Sequence, residues 1–250
     1  MSKIKITLAI AASYFIFAIL LNSVGTVILQ AINTLGVSKT EASVLEGFKD
    51  LSIAIMSFVV ASFIPRLGYK LAMLLALIVV VIACLSTAVI SDFYMFKVLF
   101  AAVGCGFAVV KVSVYSIIGQ VTEDANSHSS LLNTIEGIFM VGVLSGYWVF
   151  TAFIDPVDSN AWLNVYYVLA ALTLLVIISV VIAPIKPAIK GQKSNSGWND
   201  FIAMLKLTYQ PLVLIFIISA FLYVLIEQGV GTWLPTFNNQ VLQLPVAISI

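Results

Sequence analysis

The sequence predicts an all-α integral membrane protein, and three observations carry that prediction. Only 9% of its 250 residues are charged and 62% are hydrophobic, with a mean hydropathy of +1.13. A soluble domain would carry roughly a quarter charged residues, so most of this surface must face lipid. The apolar residues are gathered into segments of the length, about 20 residues, that a helix needs to cross the hydrocarbon core. Lysine and arginine, finally, collect on alternate connections between those segments.

About seven spans result: Ile6–Ile32, Val44–Ile64, Leu71–Ile90, Tyr94–Ile118, Leu131–Ile154, Trp162–Ile182 and Pro211–Trp233. Each is helical, because backbone N–H and C=O groups in lipid must be paired within the segment itself. The first run is long and lacks the short apolar core and small-residue cleavage site of a signal peptide, so it is expected to remain in the mature protein. Lys3 and Lys5 precede span 1, Arg66 and Lys70 join spans 2 and 3, and Lys186, Lys190, Lys193 and Lys206 lie between spans 6 and 7. All fall on one side if the spans alternate. The opposite connections hold Lys39, Asp92, Asp155 and Asp158. The positive-inside bias therefore predicts a cytoplasmic N-terminus. Gln120–Ser130, on the same side, is the exception, being acidic at Glu123 and Asp124.

Residues 186–208, rich in Lys, Gly, Ser and Asn, read as a flexible cytoplasmic linker. It separates a six-span block, residues 1–185, from residues 209–250, which hold span 7 and the start of a second block. The tail FNNQVLQLPVAISI reads as the lead-in to an eighth span.

Composition excludes several functions. A net charge of +1 offers no basic surface for nucleic acid. Cys84 and Cys105 lie inside spans and read as packing residues. His128 sits in a polar loop, and no cluster of metal-ligand spacing exists, so neither metal nor cofactor is expected. A retinal protein would need a lysine within the last span, and Pro211–Trp233 has none. No nucleophile and base share one depth, which argues against an enzyme.

Ionisable groups within the membrane are costly and therefore candidates for function. Lys111 in span 4 and Glu136 in span 5 lie at similar heights, counted from their connecting loop at 1.5 Å per residue. The favoured reading is a proton-linked ion pair facing a central cavity; the alternative is a static bridge between two spans. Ser113, Tyr115 and Ser116 continue the polar character beyond Lys111. Glu227 in span 7 lies among Gln228, Gly229, Gly231 and Thr232, a loosened polar stretch of the kind that lines substrate sites, or it snorkels to the outer surface. Asn22, Thr26 and Gln30 recur every four residues and share a face of span 1, either a cavity wall or a helix contact. Glu46, Lys49 and Asp50 read as a solvated cluster at the outer interface. Trp233 fits an interfacial belt or a cavity wall.

Six spans, a basic linker and a seventh span resemble the organisation of the major facilitator superfamily. Its loop between spans 2 and 3 pairs a glycine turn with cations, and here Arg66, Gly68 and Lys70 match that pattern, whereas Ala61, Pro65 and Tyr69 depart from it. The Gly68-Tyr69-Lys70 ending and the span 7 residues Glu227, Gly231 and Trp233 resemble the fucose:proton symporter branch of sugar permeases. That branch's acids in spans 1 and 4 are replaced here, by Gly25 and by Ala108 or Val109. No proline accompanies Gly137, Gly142 and Gly146 in span 5, which departs from the drug antiporters.

The resemblance implies a six-helix amino-terminal bundle plus span 7 and secondary active transport of a small polar solute, a sugar among the candidates, across a bacterial inner membrane. It implies protons as the coupling ion. Asn22, Thr26, Gln30, Lys111, Tyr115, Glu136, Glu227 and Trp233 would form the pathway, and Arg66, Gly68 and Lys70 the gating loop. The partners are the solute, protons, the bilayer, and a remaining half or a second copy. The rival expectation is a truncated relic or scaffold that acts only on dimerisation.

Overall fold

A computed structural model of the chain describes residues 2–155, 157–185, 206 and 208–250, with the side chains at 2, 61–63, 65 and 66 left aside. Its long helices follow the apolar segments. They are α1 (Ser2–Asn22), α2 (Val24–Leu35), α3 (Lys39–Leu67), α4 (Tyr69–Val89), α5 (Phe93–Val121), α6 (Ala125–Thr151), α7 (Val165–Ile182) and α8 (Pro211–Gln240). A 3₁₀ turn, Ala161–Asn164, leads into α7, and a short helix α9, Val246–Ser249, follows α8. Among the described residues six segments are long and apolar enough to cross a membrane: Lys3–Leu35, Tyr69–Val89, Phe93–Val121, Ala125–Thr151, Ala161–Ile182 and Pro211–Gln240. The expected linker at 186–208 falls, apart from Lys206 and Thr208, outside the described residues.

The helix ends are written in the sequence. Ser38 and Glu41 form a reciprocal capping box at the start of α3, which holds the Glu41 carboxyl below its usual range. Asp92 accepts from the Tyr94 amide ahead of α5. Asp124 accepts from the Ser127 amide at 2.8 Å and its hydroxyl at 2.7 Å, and these bonds lower its carboxyl pKa. A depressed carboxyl contributes stability above its unfolded pKa, so this cap weakens as pH falls through the lowered folded value. Because Asp124 caps the helix, α6 begins at Ala125 rather than at the expected Leu131, and most of the polar stretch Gln120–Ser130 is helical. Lys3 reaches Glu123 at 3.1 Å across the exposed surface, so this acidic connection lies at the same end of the bundle as the start of α1.

The first span also departs from expectation, being broken at Ser23 instead of continuous. Asn22 and Ser23 turn their side chains back to the Ala18 and Leu20 carbonyls, at 2.9 and 2.7 Å. Such back-bonding competes with the helical ladder and bends it.

The helix α1 is apolar all round and runs through the centre, packed against α5, α6 and α7; α4 packs on α5 and α7, and α3 on α5. Tyr14, Phe17, Phe107 and Phe139 stack between α1, α5 and α6 with ring centroids about 6 Å apart. A second aromatic group, Phe96, Trp162, Tyr166 and Phe150, fills the other end. Small residues set how closely the helices approach. A methyl at Gly104 would collide with the Lys49 carbonyl and touch Ser52 Cβ. Gly104→Ala is therefore expected to destabilise by about 1–3 kcal/mol. Gly119→Ala on the same helix meets nothing within 4 Å and is expected to be neutral or to stabilise by up to about 1 kcal/mol. Thermal midpoints of the two variants in detergent check the contrast.

Candidate functional site

Three places gather chemistry. In the first, Tyr115 on α5 donates to Glu136 Oε1 on α6 at 2.8 Å. The Lys111 ammonium, one turn before Tyr115, lies 5.8 Å from the Tyr115 ring centroid and 5.7 Å from that of Phe107. Both distances are within cation–π range. The expected ion pair is not formed. Lys111 and Tyr115 are i and i+4 on one face, and it is the tyrosine hydroxyl, on the longer reach, that meets the carboxylate. Among the described residues Lys111 has no carboxylate within 4 Å. Removing both Lys111 and Glu136 is accordingly not expected to be milder than removing one. Tyr14 on α1, 1% exposed, packs against Phe107 and Phe139, with its hydroxyl on the side of Tyr115 and Glu136.

The second place corrects the reading of Glu46, Lys49 and Asp50 as a solvated cluster. The helix α3 carries Lys49 inward to 4% exposure. Its ammonium binds Glu46 Oε1 at 2.6 Å and approaches Asp50 at 3.6 Å. Opposite stands α8, from which Gln228 Oε1 accepts from Lys49 at 3.3 Å and Thr232 Oγ1 donates to Glu46 Oε2 at 2.7 Å. Gln228 and Thr232 are i and i+4, so one face of α8 supplies both. Beside them is a cavity of about 320 Å³, lined by Glu46, Asp50, Gln228, Thr232 and Trp233 among others. A triad of charges at the mouth of an apolar span was the available signal; its burial could not be read without the partner helix.

The same face of α8 meets α2. A Cβ at Gly25 would lie 2.8 Å from the Thr232 carbonyl oxygen and 2.9 Å from that of Gly231. Pro235, inside α8, has no N–H to bond the Gly231 carbonyl four residues back. That carbonyl turns to α2, and only a glycine there leaves room for it. Thr26 and Gln30 are buried at 3% and 5%. Asn22 and Thr26 border a narrow crevice against Gly146 and Tyr147 of α6; Gln30 borders neither this crevice nor the larger cavity. Glu227 is exposed and joins neither cluster, since one residue of helical rotation hands its expected place to Gln228.

The third place is the α3–α4 turn. Gly68 has φ +88°, a backbone state that other residues rarely adopt, and its amide caps Ile64 at 2.8 Å. Lys70 donates to the Val181 and Ala183 carbonyls at 2.7 and 2.8 Å, closing the C-terminal end of α7. A cation satisfying the last carbonyls of a helix also complements its dipole. Lys70→Met is expected to lower stability by about 1–2 kcal/mol and to raise amide hydrogen exchange at Ala183 and Ile185. The Arg66 side chain lies outside the described residues.

These features were compared with known proteins. The family description Major Facilitator Superfamily matches residues 10–250. No curated protein matches. Among solved structures, the chain resembles a D323A mutant of the nucleoside transporter NupG with a TM-score of 0.70 and 17% identity, covering 98% of this chain and 61% of that one. It resembles a D-xylose-proton symporter with a TM-score of 0.67 and 14% identity, covering 100% of this chain and 64% of that one. The chain thus spans less than two thirds of the length of either. With an all-helical bundle of that fold and a family match along nearly its whole length, the chain belongs to the major facilitator superfamily.

Proposed function

We propose that this chain forms the amino-terminal portion of a secondary active transporter that moves a small polar solute, with a sugar as the leading class, together with protons. One observation carries the reading. Glu136 lies well inside a span, and the partner it is given is a neutral hydroxyl, that of Tyr115, rather than a cation. An ammonium in contact would favour the charged carboxylate more strongly than a single hydrogen bond from a phenol does, so this reading gives Glu136 the proton. The open faces of Lys111 and Tyr115 give a solute access to the same place. The solute binds between this bundle and the helices that follow α8, and the two halves rock about it. The likeness to a proton-coupled xylose carrier and a nucleoside carrier supports the substrate class. The lysine bias supports a cytoplasmic N-terminus in a bacterial inner membrane.

The test is accumulation by proteoliposomes of the intact protein when an inward proton gradient is imposed. Uptake of a sugar-class solute above its equilibrium level, abolished by a protonophore, is the expected result. Equilibration without accumulation would make the protein a facilitator and remove the role given to Glu136.

A further inference from the structure

The proposed proton site holds an ammonium that is in contact with no carboxylate. Lys111 is exposed, lies over the rings of Phe107 and Tyr115, and among the described residues has no carboxylate within 4 Å. The nearby Glu136 is engaged by Tyr115. The titratable groups that face Glu136 from the elements around it are Tyr115 and Lys111 on α5 and Tyr14 on α1. Tyr14, 1% exposed behind the rings of Phe107 and Phe139, turns its hydroxyl toward Tyr115 and so belongs to the same site. An exposed ammonium that touches no carboxylate, beside the exposed Tyr115, describes what is missing: a small solute with an anionic end and hydroxyl groups.

We propose that the solute is a sugar acid, whose carboxylate binds Lys111, rather than a neutral sugar. The inference rests on the proton-coupled reading above. Charge balance favours it. In the empty carrier the site holds the Lys111 cation and the Glu136 anion. In the loaded carrier it holds the Lys111 cation, a neutral protonated Glu136 and the solute's carboxylate. The site is electrically neutral both times, so neither the outward nor the inward passage carries net charge through the apolar interior, where charge is expensive. A neutral sugar travelling with the same proton would leave the loaded site with an uncompensated cation. No covalent step is involved; the proton bound to Glu136 on one side is released on the other.

The experiment uses proteoliposomes of the intact protein with glucuronate and glucose, a pair that differs in the carboxylate. Glucuronate is expected to accumulate under an inward proton gradient at a rate unchanged by a potassium diffusion potential. Glucose is expected not to accumulate. In detergent, Lys111→Met should weaken glucuronate binding roughly ten- to a hundredfold, the range for losing one charge-assisted hydrogen bond, while Lys111→Arg retains most of it. Thermal midpoints confirm that both variants are folded, and the potential-independence is read on the unmodified protein. Glucose accumulation that responds to the potential would overturn the sugar-acid inference and leave proton-coupled transport standing. Absence of glucuronate binding to the folded protein would overturn it as well. Binding of glucuronate that depends on Lys111, without any proton-driven accumulation, would sustain the anion site and defeat the transport reading instead.

Discussion

Glu136→Gln is expected to abolish proton-driven accumulation, down to the level of protein-free vesicles, while solute exchange across the membrane persists. The amide is nearly isosteric with the carboxylate, and its oxygen still accepts from the Tyr115 hydroxyl that now lies 2.8 Å from Oε1. Packing between α5 and α6 is therefore kept, and the ability to carry a proton is lost. Exchange requires the loaded carrier to reorient in both directions, which a permanently neutral residue permits, whereas net accumulation requires that residue to shed a proton before the empty carrier returns. Accumulation that survives the substitution would move the coupling role to another group. Tyr115→Phe gives a useful companion: it removes the hydrogen bond and keeps the titrating group, so accumulation should be slowed rather than abolished.

The second large effect concerns stability. Glu46→Ala is expected to destabilise the protein by about 3 kcal/mol, near the lower end of the range for breaking a buried pair. The Lys49 side chain is 5% exposed, and its closest partner is the Glu46 carboxylate at 2.6 Å. Removing that carboxylate strands an ammonium with only Asp50 at 3.6 Å and Gln228 at 3.3 Å, and it also takes the acceptor from Thr232. Replacing both partners, as in Glu46→Ala with Lys49→Met, should be milder than Glu46→Ala alone, because no unpaired charge is then left inside. Thermal midpoints in detergent decide it. A double variant as unstable as the single one would show that the cost lies in packing rather than in the stranded charge.

Much of this architecture was legible from residue type and spacing. The long apolar runs announce the helices, Pro211 marks the first residue of α8, and Gly68 followed by Lys70 announces a tight turn with a cation able to cap a helix. What was not legible is which faces meet. Lys49 and Gln228 lie 179 residues apart, and Glu46 and Thr232 lie 186 apart. Nothing local to either segment says that α8 will lie against Glu46 and Lys49 and bury the lysine. Span 7 shows a related gap, since Glu227 has the conspicuous charge but the helical phase, set by contacts with α2 and α3, points Gln228 and Thr232 inward. Tyr115 contacts both Lys111 and Glu136, but a count along the helices does not give the rotation that puts its hydroxyl on the carboxylate. The break at Ser23 was hidden for a different reason: Asn22 and Ser23 read as a polar stripe, and their return to the Ala18 and Leu20 carbonyls is a choice of side-chain conformation.

The contact of Lys70 with the end of α7 also says something about how the chain is threaded. Between that lysine and the Val181 and Ala183 carbonyls the polypeptide runs the length of the bundle four times, through α4, α5, α6 and α7; between Lys3 and Glu123 it also runs it four times, through α1–α2, α3, α4 and α5, sharing α4 and α5 with the first count. An even number of passages returns the chain to the side it left, and an odd number cannot. If one span failed to enter the bilayer during synthesis, donor and acceptor would be stranded on opposite leaflets. Two ordinary polar contacts thus act as a parity check on insertion, which a chain with a single missed segment fails.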